Sequence, residues 1–233
     1  MTCVSEKPLA LLIPGLDGTG RLFYRQVDAL SERYRVRAWE FQRRASFDFS
    51  DLIEELGQGT TGEKNVVVVG ESFGGTLAMQ YILAYPERVG RLVLINTFPY
   101  YRKRLRIHQA CRLAPTLAWR VSQSIKHFVV DRVLASEGIL AEDRSKYRQI
   151  IRLVYPAAYC RRLELVRQVD LRHRLSEIMV PTLLFASGRD KFVPSIQEAR
   201  FLAEQISSSK LHEFPQAGHA LLLTPGFSLA DYL

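Results

Sequence analysis

The chain has 233 residues, 47% apolar and 24% charged, with 14 glycines and 10 prolines. This excludes a disordered chain, a collagen and a coiled coil, and the length suits one domain with a sizeable core and an insertion. The net charge of +8 is unevenly placed: Tyr100–Leu175 carries 17 Lys/Arg against 6 Asp/Glu, and the rest of the chain is slightly acidic.

That basic stretch has two readings. One is a docking face for an acidic carrier or an anionic membrane surface. The other is a helical insertion with a solvated outer face. No nucleic-acid recognition motif accompanies it. The longest apolar runs, 65–70 and 178–186, are strand-sized and fall well short of the roughly 20 residues of a membrane span. The N-terminal apolar run is short, lacks a cleavage site and enters a glycine-rich turn, so no secretion signal is expected. Cys3, Cys111 and Cys160 are odd in number and far apart, which argues for free thiols and a reducing, cytoplasmic setting.

In chain order, Pro8–Pro14 reads as a buried strand and Arg21–Arg33 as a helix, with Leu22, Phe23, Val27 and Leu30 at helical spacing. Tyr34–Phe41 alternates like a strand, and Phe49–Leu56 is a short helix. Asn65–Gly70 is a strand apolar on both faces, as at the centre of a parallel sheet. Thr76–Tyr85 is a helix closed by Pro86, and Arg91–Ile95 is a strand. From Tyr100 to Glu177 no strand pattern is convincing and the apolar spacing is helical. Strand Thr182–Ala186, helix Ser195–Ile206, strand Lys210–Phe214 and a last helix from about Ala220 complete the chain. The expected fold is α/β: a doubly wound, mostly parallel sheet of about six strands from residues 1–99 and 178–233, with 100–177 a helical cap insertion.

Gly70-Glu71-Ser72-Phe73-Gly74 follows a valine-rich strand and opens a helix, the setting in which a G-x-S-x-G motif has mechanical meaning. Glycines on either side let the chain turn sharply, and the turn offers the Ser72 hydroxyl at the carboxyl edge of the sheet. A serine nucleophile needs a base, and the base needs a group to hold its tautomer. His108, His127 and His173 lie in the basic insertion and His212 lies within a strand. His219 alone sits in a loop after a late strand. Asp190, just beyond strand Thr182–Ala186, is the candidate acid, because the loop after Arg91–Ile95 holds Asn96 and Thr97 and has no carboxylate to offer. The N–H groups of Leu16 and Phe73 are candidate oxyanion donors. Gly15 and Asp17 of the Pro14–Gly20 loop are candidate substrate contacts, and Asp17 could equally cap the next helix. Glu71 reads as an elbow side chain beside the site without a catalytic role. The loop spacing matches no dinucleotide or nucleotide loop, and neither a metal site nor a cofactor is expected.

With these residues in place the chain resembles the α/β-hydrolase superfamily over nearly its whole length. Three stretches, PGLDGTG (14–20), GESFGG (70–75), and ASGRDKFVP (186–194) with AGHALLL (217–223), are similar to the hydrolase part of the phytyl ester synthase and esterase/lipase/thioesterase proteins. The resemblance implies a triad of Ser72, Asp190 and His219 acting on acyl esters or thioesters. The chain departs from that pattern in beginning at what would be the superfamily's third strand and in ending about a dozen residues after His219, so no appended acyltransferase module is expected. The expected activity is hydrolysis through an acyl-enzyme on Ser72, with Trp119, Phe128, Tyr147, Tyr155 and Tyr159 of the cap available to line the pocket. Transfer of the acyl group to an alcohol is one alternative, and a non-catalytic ligand-binding protein on the same fold is another.

Overall fold

The computed structural model describes residues 7–102, 105, 107–109, 111–112 and 138–233. Strands β1 (Leu9–Ile13), β2 (Arg35–Ala38), β3 (Val66–Glu71), β4 (Val89–Ile95), β5 (Thr182–Ser187) and β6 (Ser209–Phe214) form one sheet in the order β2-β1-β3-β4-β5-β6. Every neighbouring pair is parallel. The helices are α1 (Tyr24–Ser31), α2 (Phe49–Gly59), α3 (Phe73–Ala84), α4 (Ala141–Ile151), α5 (Pro156–Gln168) and α6 (Ser195–Gln205) among the described residues.

Alternate residues of each strand feed two separate cores. Leu9, Leu11, Ile13, Val66, Val68, Leu92 and Leu94 pack on one face with α2, α3, α6 and the apolar side of α5. Ala10, Leu12, Val67, Val69, Val93 and Ile95 pack on the other with Phe23, Leu30 and the C-terminal Leu221, Leu222 and Leu229. Burial on both faces is why β3 reads as an unbroken valine run. The chain runs outward from β1 to β2 and then returns past β1 to β3, so the strand order reverses between β1 and β3. The carboxyl ends flanking such a reversal are where open α/β sheets hold ligands.

Element boundaries differ from the sequence expectation in instructive ways. Helix α2 runs on to Gly59, and it starts from a capping box in which the Asp48 carboxylate accepts from the Asp51 N–H and Asp51 returns the bond. The expected helix at 21–33 is divided into a 3-10 turn at Arg21–Phe23 followed by α1. The expected last helix from Ala220 does not form. Two 3-10 turns, Leu221–Leu223 and Leu229–Asp231, stand there instead. Pro225 and the left-handed Gly226 (φ 77°) interrupt any longer helix, and the leucines drive into the core without needing one.

The basic segment contributes α4, α5 and a 3-10 helix at Arg172–Glu177. Its two ends are stitched together. Tyr100 and Asp170 form an antiparallel bridge, and the Leu171 N–H donates to the Pro99 carbonyl at 2.9 Å. The buried Asp143 carboxylate of α4 accepts from Arg25 Nε at 2.8 Å and from the Tyr24 hydroxyl, which fastens α4 to the start of α1. Several basic side chains pair with acidic neighbours, among them Arg161 with Glu164, Arg172 with Asp170 and Arg174 with Glu177. Among the described residues no helix is long and apolar enough to cross a membrane.

Candidate active site

Strand register aligns the carboxyl ends of five strands, with Ile13 opposite Gly70, Glu71 opposite Ile95, and Ser187 opposite Phe214. At the end of β3 the chain turns within one residue into α3. Ser72 takes the turn at φ 54° and ψ −121°, a left-handed backbone that costs a non-glycine residue about 1–3 kcal/mol. The flanking glycines are required by close approach. A Cβ on Gly74 would lie 2.1 Å from the Ile13 carbonyl oxygen, and one on Gly70 would lie 2.4 Å from the Gly74 carbonyl oxygen. The elbow thus presses directly on the end of β1.

Asp190 lies in the loop after β5. Its Oδ1 accepts from the N–H groups of Phe192 and Val193, at 2.8 and 3.0 Å, and its Oδ2 accepts from the Ser195 hydroxyl at 2.5 Å. The same Oδ2 lies 2.7 Å from Nδ1 of His219, which stands in the loop after β6. Burial alone would push the Asp190 carboxyl up, but the His219 charge and the hydrogen bonds from His219, Ser195 and Val193 outweigh it and hold the group below the ordinary aspartate range. Burial works against a charged His219 imidazole too, yet the Asp190 carboxylate, helped by Glu71, raises it above the ordinary value of 6.5.

Ser72 and His219 are tied to one another through the loop after β4. The Ser72 N–H donates to the Ile95 carbonyl at 2.9 Å, and the Thr97 hydroxyl donates to the Ser72 carbonyl at 2.6 Å. Between them sits Asn96, 1% exposed, with φ 46°. Its Nδ2 donates to the His219 carbonyl at 2.8 Å and to the Ser187 hydroxyl at 3.0 Å, while its Oδ1 accepts from the Ser187 N–H at 2.9 Å. One amide side chain therefore pins the end of β5 and the histidine loop beside the elbow. No hydrogen bond joins the Ser72 hydroxyl to His219 among the described residues; such bonds often tighten only with substrate in place.

Asn96→Ala is expected to destabilise the fold by about 1–3 kcal/mol, because it strands the buried Ser187 N–H and the His219 carbonyl and removes a side chain that tolerates positive φ. Urea unfolding measures the loss, and esterase assays on the folded fraction are expected to show a lower kcat from a loosened His219.

Phe73 is the first residue of α3, and its N–H has no partner within the helix. The Leu16 N–H likewise makes no hydrogen bond among the described residues. The Leu16 peptide is fixed from its other side by Arg162 of α5, whose Nε donates to the Leu16 carbonyl at 2.9 Å and whose second amino group donates to the Asp17 carbonyl at 3.2 Å. Arg162 is 2% exposed, and burial lowers its guanidinium to about 10. Sequence reading missed it, since one arginine among 17 basic residues gives no sign that it points inward. Gly15 lies beside the elbow, its missing Cβ 3.5 Å from Ser72 Cβ. Asp17 binds the Thr19 N–H and hydroxyl through one oxygen. Tyr147 of α4 is buried with Leu22, Ala220 and Leu223, next to the histidine loop. Trp119 and Phe128 lie outside the described residues. Among the described residues no cluster of three His, Cys, Asp or Glu side chains could hold a metal ion.

A doubly wound parallel sheet with a strained serine turn at its carboxyl edge, and a buried Asp–His pair beside it, defines an α/β-hydrolase. The chain belongs to the family described as serine aminopeptidase, S33, whose profile matches residues 30–225. It is 27% identical to a relative named for carbamate hydrolysis, RutD of Serratia proteamaculans, over 93% of this chain and 86% of that protein. It is also 27% identical to the pimeloyl-[acyl-carrier protein] methyl ester esterase of Vibrio atlanticus, over 94% of this chain and 90% of that one. Among solved structures, the esterase EaEST from Exiguobacterium antarcticum superposes with a TM-score of 0.81 at 18% identity, covering 94% of this chain and 88% of that one. This last likeness is one of fold.

Proposed function

We propose that the protein is a serine hydrolase of carboxylic esters that works through an acyl-enzyme on Ser72. The observation that carries this reading is the 2.7 Å contact between His219 Nδ1 and the buried Asp190 carboxylate, placed at the sheet edge where the strained Ser72 turn stands. Two relatives named as methyl ester esterases of an acyl-carrier protein support the ester class. The substrate is a small-molecule acyl ester or thioester.

Asp190 accepts a hydrogen bond from Nδ1–H of His219, which keeps the proton on Nδ1 and leaves Nε2 of the neutral ring as the base. His219 takes the Ser72 proton as the hydroxyl attacks the acyl carbon, and returns it to the departing alkoxide or thiolate. The Leu16 and Phe73 N–H groups receive the developing oxyanion, with Arg162 holding the Leu16 peptide in place. Water, activated by the same imidazole, releases the acid from Ser72. Replacing water by an alcohol would give acyl transfer with the same residues, and product analysis in the presence of a long-chain alcohol separates the two.

A fluorophosphonate probe is expected to label the folded protein on Ser72, read by peptide mass analysis, and to leave heat-denatured protein unlabelled. Labelling elsewhere, or nowhere in folded protein that turns over p-nitrophenyl esters, would remove Ser72 from this role.

A further inference from the structure

Three polar groups beside the elbow have no hydrogen-bond partner among the described residues. Glu71, the residue before Ser72, is 7% exposed, and its carboxyl makes no hydrogen bond. Asp17 is 8% exposed; Oδ2 is taken up by Thr19, and Oδ1 has no partner. Tyr147 comes from α4, is 7% exposed, and its phenol hydroxyl also has no partner. The three feel one another: burial and then Asp17 and Glu71 raise the Tyr147 phenol, and burial with Asp17 and Asp190 pushes the Glu71 carboxyl up to about 7 against the opposing pull of His219. Glu71 precedes the nucleophile in the chain, Asp17 borders it, and Tyr147 packs with Ala220 beside the histidine loop. The point where a Gly15 Cβ would stand is 3.5 Å from Ser72 Cβ and 3.8 Å from Asp17 Oδ1.

Buried polar groups are nearly always paired, and leaving one unpaired is costly. Each of the three residues keeps a small exposed surface, 7–8%. The ionised carboxyl of Glu71 and the free Oδ1 of Asp17 present acceptors, and the protonated Tyr147 hydroxyl can accept as well as donate. An alkyl chain entering there would strip them of water and return nothing, and above about pH 7, where Glu71 is ionised, a carboxylate would meet like charge. The Arg162 guanidinium, which also feels Asp17, is committed to the carbonyls of Leu16 and Asp17.

We propose that Glu71, Asp17 and Tyr147 form a recognition chamber for a hydrogen-bond donor on the substrate, a hydroxyl, amide N–H or protonated amine within reach of Ser72, and that it rejects substrates carrying a carboxylate there. The inference rests on Ser72 as nucleophile and narrows the substrate class of that site.

Hydrolysis of two ester sets at about pH 8.5, where Glu71 is ionised, tests it. One set is the methyl esters of butanoate, 3-hydroxybutanoate, 3-aminopropanoate and succinate. The other is propyl acetate against 2-hydroxyethyl acetate. In at least one set the wild type is expected to favour the donor-bearing ester over its alkyl counterpart by about tenfold or more in kcat/KM, with the succinate ester the poorest of its set. Glu71→Leu should collapse the donor preference. Glu71→Gln, which keeps the shape and an acceptor, should retain part of the preference for the hydroxyl and relieve the penalty on succinate. Ratios within each variant cancel differences in folded fraction. A wild type without donor preference in either set, or a preference untouched in both variants, overturns the chamber. If Ser72 labels with fluorophosphonate while the ratios are flat, the chamber alone falls. If Ser72 does not label, the nucleophile reading falls and the chamber falls with it.

Discussion

Replacing Ser72 with alanine is expected to lower kcat on a p-nitrophenyl ester by about 10⁶, and His219→Ala by a comparable factor. The double variant should be scarcely worse than either single one, because attack requires the hydroxyl and the imidazole together. Adding the two losses would predict a far deeper drop, so non-additivity itself reports that the two side chains act as one unit. Stability should behave differently. The Ser72 hydroxyl makes no hydrogen bond among the described residues, and alanine must take the same left-handed turn that serine does. Ser72→Ala is therefore expected to unfold within about 0.5 kcal/mol of wild type, as for a substitution that removes no partnered group. A variant that lost activity and several kcal/mol together would point to a structural serine. The residual rate of the folded Ser72→Ala protein over water measures what the proposed oxyanion donors, the Leu16 and Phe73 N–H groups, supply without a nucleophile.

The parts of this site that were legible in the sequence are those where backbone constraint and residue type coincide. The elbow is one: Gly70 and Gly74 sit where any Cβ would strike backbone, and the valine run before them is buried on both faces. His219 and Asp190 were singled out because both fall in short loops after strands, and the structure brings the two side chains within 2.7 Å of each other. What escaped notice acts across the chain. Asn96 was weighed only as a missing carboxylate, whereas its amide ties two loops from opposite ends of the sequence, and no local pattern marks that duty. Arg162 belongs to a segment whose charge describes its outer face, and only the fold shows one member turned inward. The absent last helix reflects the same limit, since an apolar tetrad fits helix and 3-10 turn equally until packing decides.

Asp190→Asn is expected to cost about 10⁴ in kcat while leaving the fold intact. The four hydrogen bonds around this side chain dictate the outcome. The N–H groups of Phe192 and Val193 demand an acceptor, so the asparagine oxygen must stay on their side. Its amide nitrogen is then turned toward Ser195 and His219 Nδ1. The Ser195 hydroxyl can rotate to accept, but Nδ1 can accept only by giving up its proton. The ring is thereby held with the proton on Nε2, the atom that must receive one from Ser72, and the base is disabled without being moved. The pH profile should carry the same signature. In the wild type, Asp190 raises His219 above 6.5 despite burial, so kcat/KM should fall as pH drops through a value on the alkaline side of 6.5. Without the carboxylate, burial acts with only Glu71 against it, and the acid limb should move to lower pH. A variant that kept the acid limb of the wild type, or lost less than about tenfold in kcat, would show that the carboxylate neither sets the tautomer nor stabilises the imidazolium.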